Sequence, residues 1–162
     1  MLNRKSSISN NKQGYRAFSL IETAVVIALF AILTTLSLPI GLNQLKKETT
    51  YSQSINLVSN IFVMQQNAYN GKESGEFGVY FTVDGYYIYE GLDYNSSTWS
   101  QYTAMEGSSN ISSITLDNLG DEIHFTGGML LPDTFGTITI TDSNVNYNVA
   151  VNKEGVLDIE RL

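Results

Sequence analysis

One carboxylate, Glu22, stands in the fifth position of an apolar run that begins at Phe18 and continues to Leu42. An acid within a membrane-length segment costs roughly 2.5–3.5 kcal/mol to insert, so it calls for a partner or a task. The plain alternative is that Glu22, close to the end of the segment, snorkels to the interface. Other groups offer less. His124 is the only histidine and the only base of the usual kind for a hydrolase triad, but no Gly-x-Ser-x-Gly elbow accompanies it. It is expected to be structural or on the surface. Asp117-Asn118-Leu119-Gly120-Asp121-Glu122 gathers oxygen ligands, yet its spacing does not fit an EF-hand loop, and a solvated acidic turn is the expectation. The chain has no cysteine, which excludes disulfides, thiolate metal sites and cysteine nucleophiles. No catalytic residue, metal site or cofactor is expected.

The elements around Glu22 are set by charge and hydropathy. The first 17 residues carry Arg4, Lys5, Lys12 and Arg16 and no acid, so +4. The remainder has five basic and sixteen acidic residues, so −11. Such a product repels phosphate backbones, and nucleic acid is not an expected partner. The leader has no apolar core of its own. A secretory signal places its small cleavage-site residue after the apolar core, whereas Ala17 precedes it here. A cut at Ala17 therefore leaves the apolar segment in the mature chain. From Thr23 to Leu38 there is no charge. The 25 residues Phe18–Leu42 would reach about 37 Å as a helix, enough to cross a bilayer core with some tilt. Positive charge before this span and acid after it put the N-terminus in the cytoplasm and the rest outside. Pro39 and Gly41 weaken the helix locally, by a kink or a melted stretch.

Beyond the span, Tyr51, Ile55, Val58, Phe62, Gln65 and Tyr69 recur at helical spacing, with Ile61 and Ala68 widening the stripe. The helix is expected to run to Asn70-Gly71 and to bury this stripe on a sheet. The period then changes to two. Strands are expected at 77–83 and 86–89 around an Asp84-Gly85 hairpin, and at 114–116, 122–125, 137–140, 146–151 and 156–159. The stretch Gly91–Ser113 reads as a polar loop. With Trp99, Tyr94 and Tyr102 it is a candidate contact surface, although a solvated variable loop accounts for it as well.

Ala17-Phe18-Ser19-Leu20-Ile21-Glu22, the apolar run and Pro39 together resemble the class III signal of type IV pilins and type II secretion pseudopilins. The resemblance covers residues 14–45. It implies that a prepilin peptidase cuts between Ala17 and Phe18 and that the new N-terminus is methylated. It implies that Glu22 pairs with the N-terminal amine of a neighbouring subunit, and that other pilin or pseudopilin subunits and an inner-membrane assembly platform are partners. Ala17 departs from the usual Gly before the cut. The later segments resemble the FimT/GspH group of minor pilins and pseudopilins. Some members of that group bind DNA through basic residues near the C-terminus; here Glu154, Asp158 and Glu160 against Arg161 argue against carrying that over. The expected architecture is α+β, a long N-terminal helix packed on a small antiparallel sheet. Its parts are a removed leader (1–17), an assembly helix (18–45), an amphipathic half (46–70) and a β-rich head (71–162). The expected role is a non-enzymatic, single-pass inner-membrane subunit of a type IV pilus-like or type II secretion filament. A filament-tip binding module is the alternative.

Overall fold

The computed structural model describes residues 19–71, 75–142 and 145–162, with side chains outside 36–47. It is α+β. One helix, α1 (Leu20–Tyr69), is followed by eight strands: β1 (Phe77–Thr82), β2 (Gly85–Glu90), β3 (Trp99–Ala104), β4 (Asn110–Leu116), β5 (Glu122–Phe125), β6 (Gly136–Asp142), β7 (Val145–Val151) and β8 (Leu157–Arg161). The chain divides into two compact units, Met1–Ile40 and Gly41–Leu162.

In the second unit the strands form two four-stranded antiparallel sheets, ordered β3-β2-β1-β5 and β4-β6-β7-β8, rather than the single small sheet expected. Alternation explains the strands. In β6, Ile138 and Ile140 point inward and Thr137, Thr139 and Thr141 outward; in β7, Val145, Tyr147, Val149 and Val151 are buried and Asn146 and Asn148 are not. The outward rows pair across the strands, the Thr139 hydroxyl donating to Asn148 Oδ1 at 2.9 Å. The first hairpin has the expected two-residue loop, displaced by one position. Thr82 faces Gly85, so the loop is Val83-Asp84 and Gly85 opens β2.

A single hydrophobic cluster joins Leu57, Ile61, Met64 and Ala68 of α1 to inner residues of both sheets, among them Val79, Phe81, Ile123, Ile138 and Val149. This is where the expected stripe is corrected. The buried helical positions are Thr50, Gln53, Ser54, Leu57, Ile61, Met64, Gln65 and Ala68; Ile61, Gln65 and Ala68 of the expected stripe are among them and Val58 is partly buried, but the face is centred about one residue earlier. Tyr51, Ile55, Phe62 and Tyr69 stay between 41 and 52 % exposed. One residue is about 100° of helix rotation. The choice follows from size. Thr50, Ser54 and Ala68 are small enough for the sheets to come close, and their polar groups are internally satisfied. The Ser54 hydroxyl donates to the Thr50 carbonyl at 2.9 Å, and the Thr50 and Ser109 hydroxyls are 3.2 Å apart. The larger Tyr51 instead packs at the margin, its ring 5.5 Å from that of Tyr147.

Polar cross-links hold α1 in this rotation. Gln65 is buried, and its Nε2 donates to the Leu130 carbonyl at 2.6 Å and to the Gly155 carbonyl at 2.9 Å. Asn60 Nδ2 donates to the Tyr86 hydroxyl at 2.7 Å, and the Gly128 amide donates to the Ala68 carbonyl at 2.9 Å. Gln65→Leu keeps the volume but leaves two buried carbonyls without that donor. We expect it to lower unfolding free energy by roughly 1–3 kcal/mol, read from urea denaturation followed by circular dichroism.

Candidate functional site

The first described turn of α1 explains Glu22 locally. Ser19 caps the helix: its Oγ accepts from the Glu22 amide at 3.2 Å, and its carbonyl accepts from the Thr23 amide at 3.2 Å. Ser19-x-x-Glu22 has the spacing of a capping box, and a carboxylate in the first turn complements the helix dipole. The pattern was available in the sequence as a serine three residues before an acid ahead of an apolar run. From Leu20 to Thr35, Glu22 is the sole charged residue. Large apolar side chains point outward all round this stretch, including Leu20, Ile21, Val25, Ile27, Phe30 and Leu33. A helix that is apolar on every side belongs inside something else. Its hydroxyls turn inward: Thr34 donates to the Phe30 carbonyl at 2.8 Å and Thr35 to the Ile32 carbonyl at 2.8 Å. Among the described residues no helix is long and apolar enough to cross a membrane. Ala17 and Phe18, and the side chain of Pro39, lie outside the described residues; α1 itself runs through Pro39 and Gly41 without interruption.

The second cluster is on the sheet face turned away from the core. Strand alternation and register set Tyr80 of β1 beside Tyr87 of β2, and Tyr87 beside Tyr102 of β3. Ring centroids are 6.4 Å apart in the first pair and 4.7 Å in the second. The loop after β2 folds Tyr94 onto Tyr80 in a parallel stack at 4.4 Å, with Tyr87 at 4.9 Å. Tyr89 is fully buried beneath this layer and lies over Gly78, where an added Cβ would come within 2.4 Å of its ring. Glu122 Oε2 accepts from the Tyr89 hydroxyl at 3.0 Å and from the Tyr94 amide at 3.1 Å. One carboxylate thus anchors both a strand tyrosine and the loop.

The three expected contact residues are therefore divided. Tyr94 and Tyr102 share the tyrosine face, whereas Trp99 pairs with Glu90 on the opposite side of the sheet. There it lines a cavity of about 390 Å³ with Val63, Met64 and Asn67 of α1 and Phe77 and Ile88. The stretch read as the loop Gly91–Ser113 holds β3 and the start of β4. Strand β3 was not legible because Trp-Ser-Gln-Tyr-Thr-Ala has no apolar alternation, and five of its six residues are exposed.

His124 Nδ1 lies 2.6 Å from Asp133 Oδ2, which also accepts from the Thr126 hydroxyl at 2.7 Å. Its Nε2 is buried and meets no hydrogen-bonding partner among the described residues. The pair ties β5 to the segment after it, where the Asp133 amide donates to the His124 carbonyl at 2.8 Å. In the acidic turn, Asp117 Oδ1 accepts from the Phe135 amide at 3.1 Å and Asn118 Oδ1 from the Gly120 amide at 2.8 Å. Among the described residues no group of three or more His, Asp or Glu is placed to hold a metal ion.

Burial first, and then the charge of Glu122, push the Tyr89 phenol well above its ordinary value of 10.0. Burial likewise raises Tyr86, opposed by the hydrogen bond from Asn60. A phenol whose folded pKa is raised contributes stability that is complete below its unfolded pKa and is lost as pH climbs above it. Denaturation midpoints are therefore expected to hold to about pH 9 and to fall above about pH 10. Tyr89→Phe should flatten part of that alkaline decline, measured as urea midpoints between about pH 8 and 11.

Residues 12–38 match the family model described as the prokaryotic N-terminal methylation motif. Neither a curated protein nor a solved structure gives a match. With a helix capped by Ser19, Glu22 in its first turn and apolar side chains on every side, this motif indicates a type IV pilin-like prepilin.

Proposed function

We propose that the chain is a minor pilin or minor pseudopilin of the FimT/GspH-like kind, and that its work is assembly and contact rather than catalysis. A prepilin peptidase cuts between Ala17 and Phe18, and the Phe18 amine is methylated. The segment Phe18–Leu42, which reaches beyond the described apolar side chains at both ends, holds the precursor in the inner membrane with the head outside. On assembly it moves from lipid into a bundle of like helices. The observation that carries this reading is the match over residues 12–38, on a segment whose large apolar side chains are exposed among the described residues.

In that setting Glu22 has two tasks. Within its own helix it sits in the first turn, near the amides left open there. Between subunits, it is the acid that meets the new N-terminal amine of a neighbour. Ser19 stays in the processed chain, so the cap survives the cut. Removing one partner of a buried pair leaves an uncompensated charge, which penalises wrong axial register.

Mass spectrometry of the mature chain, with and without the host's prepilin peptidase, is expected to show N-methylated Phe18 that is lost with the enzyme. A start at Met1 in both strains would overturn the reading. Glu22→Gln is expected to be cut normally but to be missing from sheared filament fractions; normal incorporation would remove the pairing role while leaving the processing intact.

A further inference from the structure

Two four-stranded sheets have four edges, of which one is covered, one is broken in register and tied to a loop, and one is charged. At β5 the neighbouring segment occupies the edge: Phe125 bridges to Pro132, and the Glu122 and His124 carbonyls accept from Thr134 and Asp133 at 2.8 Å each. At β4 the register breaks between Ile111 and Ser113, and the Ile111 amide donates to the Val83 carbonyl at 2.9 Å. Strand β8 carries Asp158, Glu160 and Arg161 among its five residues. Charges, bulges and covering segments are the usual means of blocking strand addition.

Strand β3 has none of these. Its six residues are uncharged, contain no proline, and pair with β2 over their full length without a bulge. The Met105 amide donates to the Asp84 carbonyl at 2.9 Å, which sets the phase of the ladder. In an antiparallel pair the bonded positions alternate, so Trp99, Gln101 and Thr103 face β2 with their backbone groups. The backbone N–H and C=O groups of Ser100 and Tyr102 point away from the sheet, and no described residue bonds to them. The tyrosine row Tyr80–Tyr87–Tyr102 also stops at this edge.

We propose that the β3 edge is a docking site for an extended segment of another protein, added as a fifth strand, with an uncharged β-prone centre and basic residues at its ends. The centre is set by the edge itself. About six residues match β3, and the residue opposite Tyr102 continues the ring row, where aromatic and β-branched side chains pack best. The ends are set by charge. Asp93 lies in the loop leading into β3, and Asp84 and Glu106 flank its exit. Among the described side chains of this unit the lysine and arginine are Lys153 and Arg161, both at the other sheet. A second copy would bring the same acids to the same edge, so like charges oppose self-pairing.

The test uses the full chain in detergent micelles and a fluorescein-labelled peptide, Lys-Lys-Thr-Val-Tyr-Thr-Val-Lys-Lys, followed by anisotropy. Saturable binding is expected, weakened at least about tenfold when the four lysines are replaced by glutamates. Ser100→Pro removes one outward N–H and spares the ladder to β2; it should weaken binding about tenfold with an unchanged thermal midpoint. Should that variant fold poorly, Tyr102→Lys decides the question, since it leaves the backbone intact and places a cation on the edge. Absence of saturable binding, equal affinity for both peptides, or unchanged affinity in the folded variants would overturn the proposal. So would a wild-type dimer in sedimentation that Tyr102→Lys dissociates, which would assign the edge to a second copy.

Discussion

Neither sheet of the second unit can close its core without the helix. The inner residues of β1, β2 and β5 and those of β4, β6 and β7 meet around Leu57, Ile61, Met64 and Ala68, and these four side chains are at most 3 % exposed. Hydrophobic burial of this kind is non-directional, and by itself would accept several rotations of α1. The rotation is chosen by close approach and by hydrogen bonds. Small Thr50, Ser54 and Ala68 admit the sheets, and Gln65 spans to two carbonyls from separate segments, at Leu130 and Gly155. Burying Gln65 is favourable because both acceptors are met, and moving the helix by one residue would leave them open.

The same economy of polar groups organises the outer face of the first sheet. Tyr89 sits where a residue on an outer face would ordinarily be wet. It is buried instead, because Gly78 leaves room beneath the ring and the loop after β2 covers it. Burial and then the charge of Glu122 keep the phenol protonated, and Glu122, holding both the hydroxyl and the loop amide, keeps the loop closed over it. With the loop in place, Tyr94 completes a layer of rings that extends to Tyr102 on the edge strand. The two edges of this sheet differ: His124, Asp133 and Pro132 close one, while the outward backbone groups of β3 are unbonded among the described residues.

The N-terminal part of the helix obeys a different rule. Between Leu20 and Thr35 apolar side chains cover the whole circumference, and Thr34 and Thr35 return their hydroxyls to the backbone. That arrangement suits an apolar surrounding, since neither hydroxyl is left as an unmet donor. Glu22 is the exception, and the capping geometry at Ser19 shows why an acid is tolerated there even before any neighbour is considered.

Much of this protein was legible in its residues alone. The motif around Phe18 and Glu22, the helix ending near Asn70, the change of period after Gly71 and seven of the eight strands follow from local pattern, because the signal for each lies within a few residues. Three things needed the tertiary structure. The buried face of α1 lies one residue from the stripe of largest side chains, since a wide apolar arc offers two faces and only the approach of the sheets selects one. Strand β3 has no amphipathic pattern, being held by its pairing to β2 and not by burial. The separation of Trp99 from Tyr94 and Tyr102 depends on that strand's register, because alternate residues of a strand point to opposite faces.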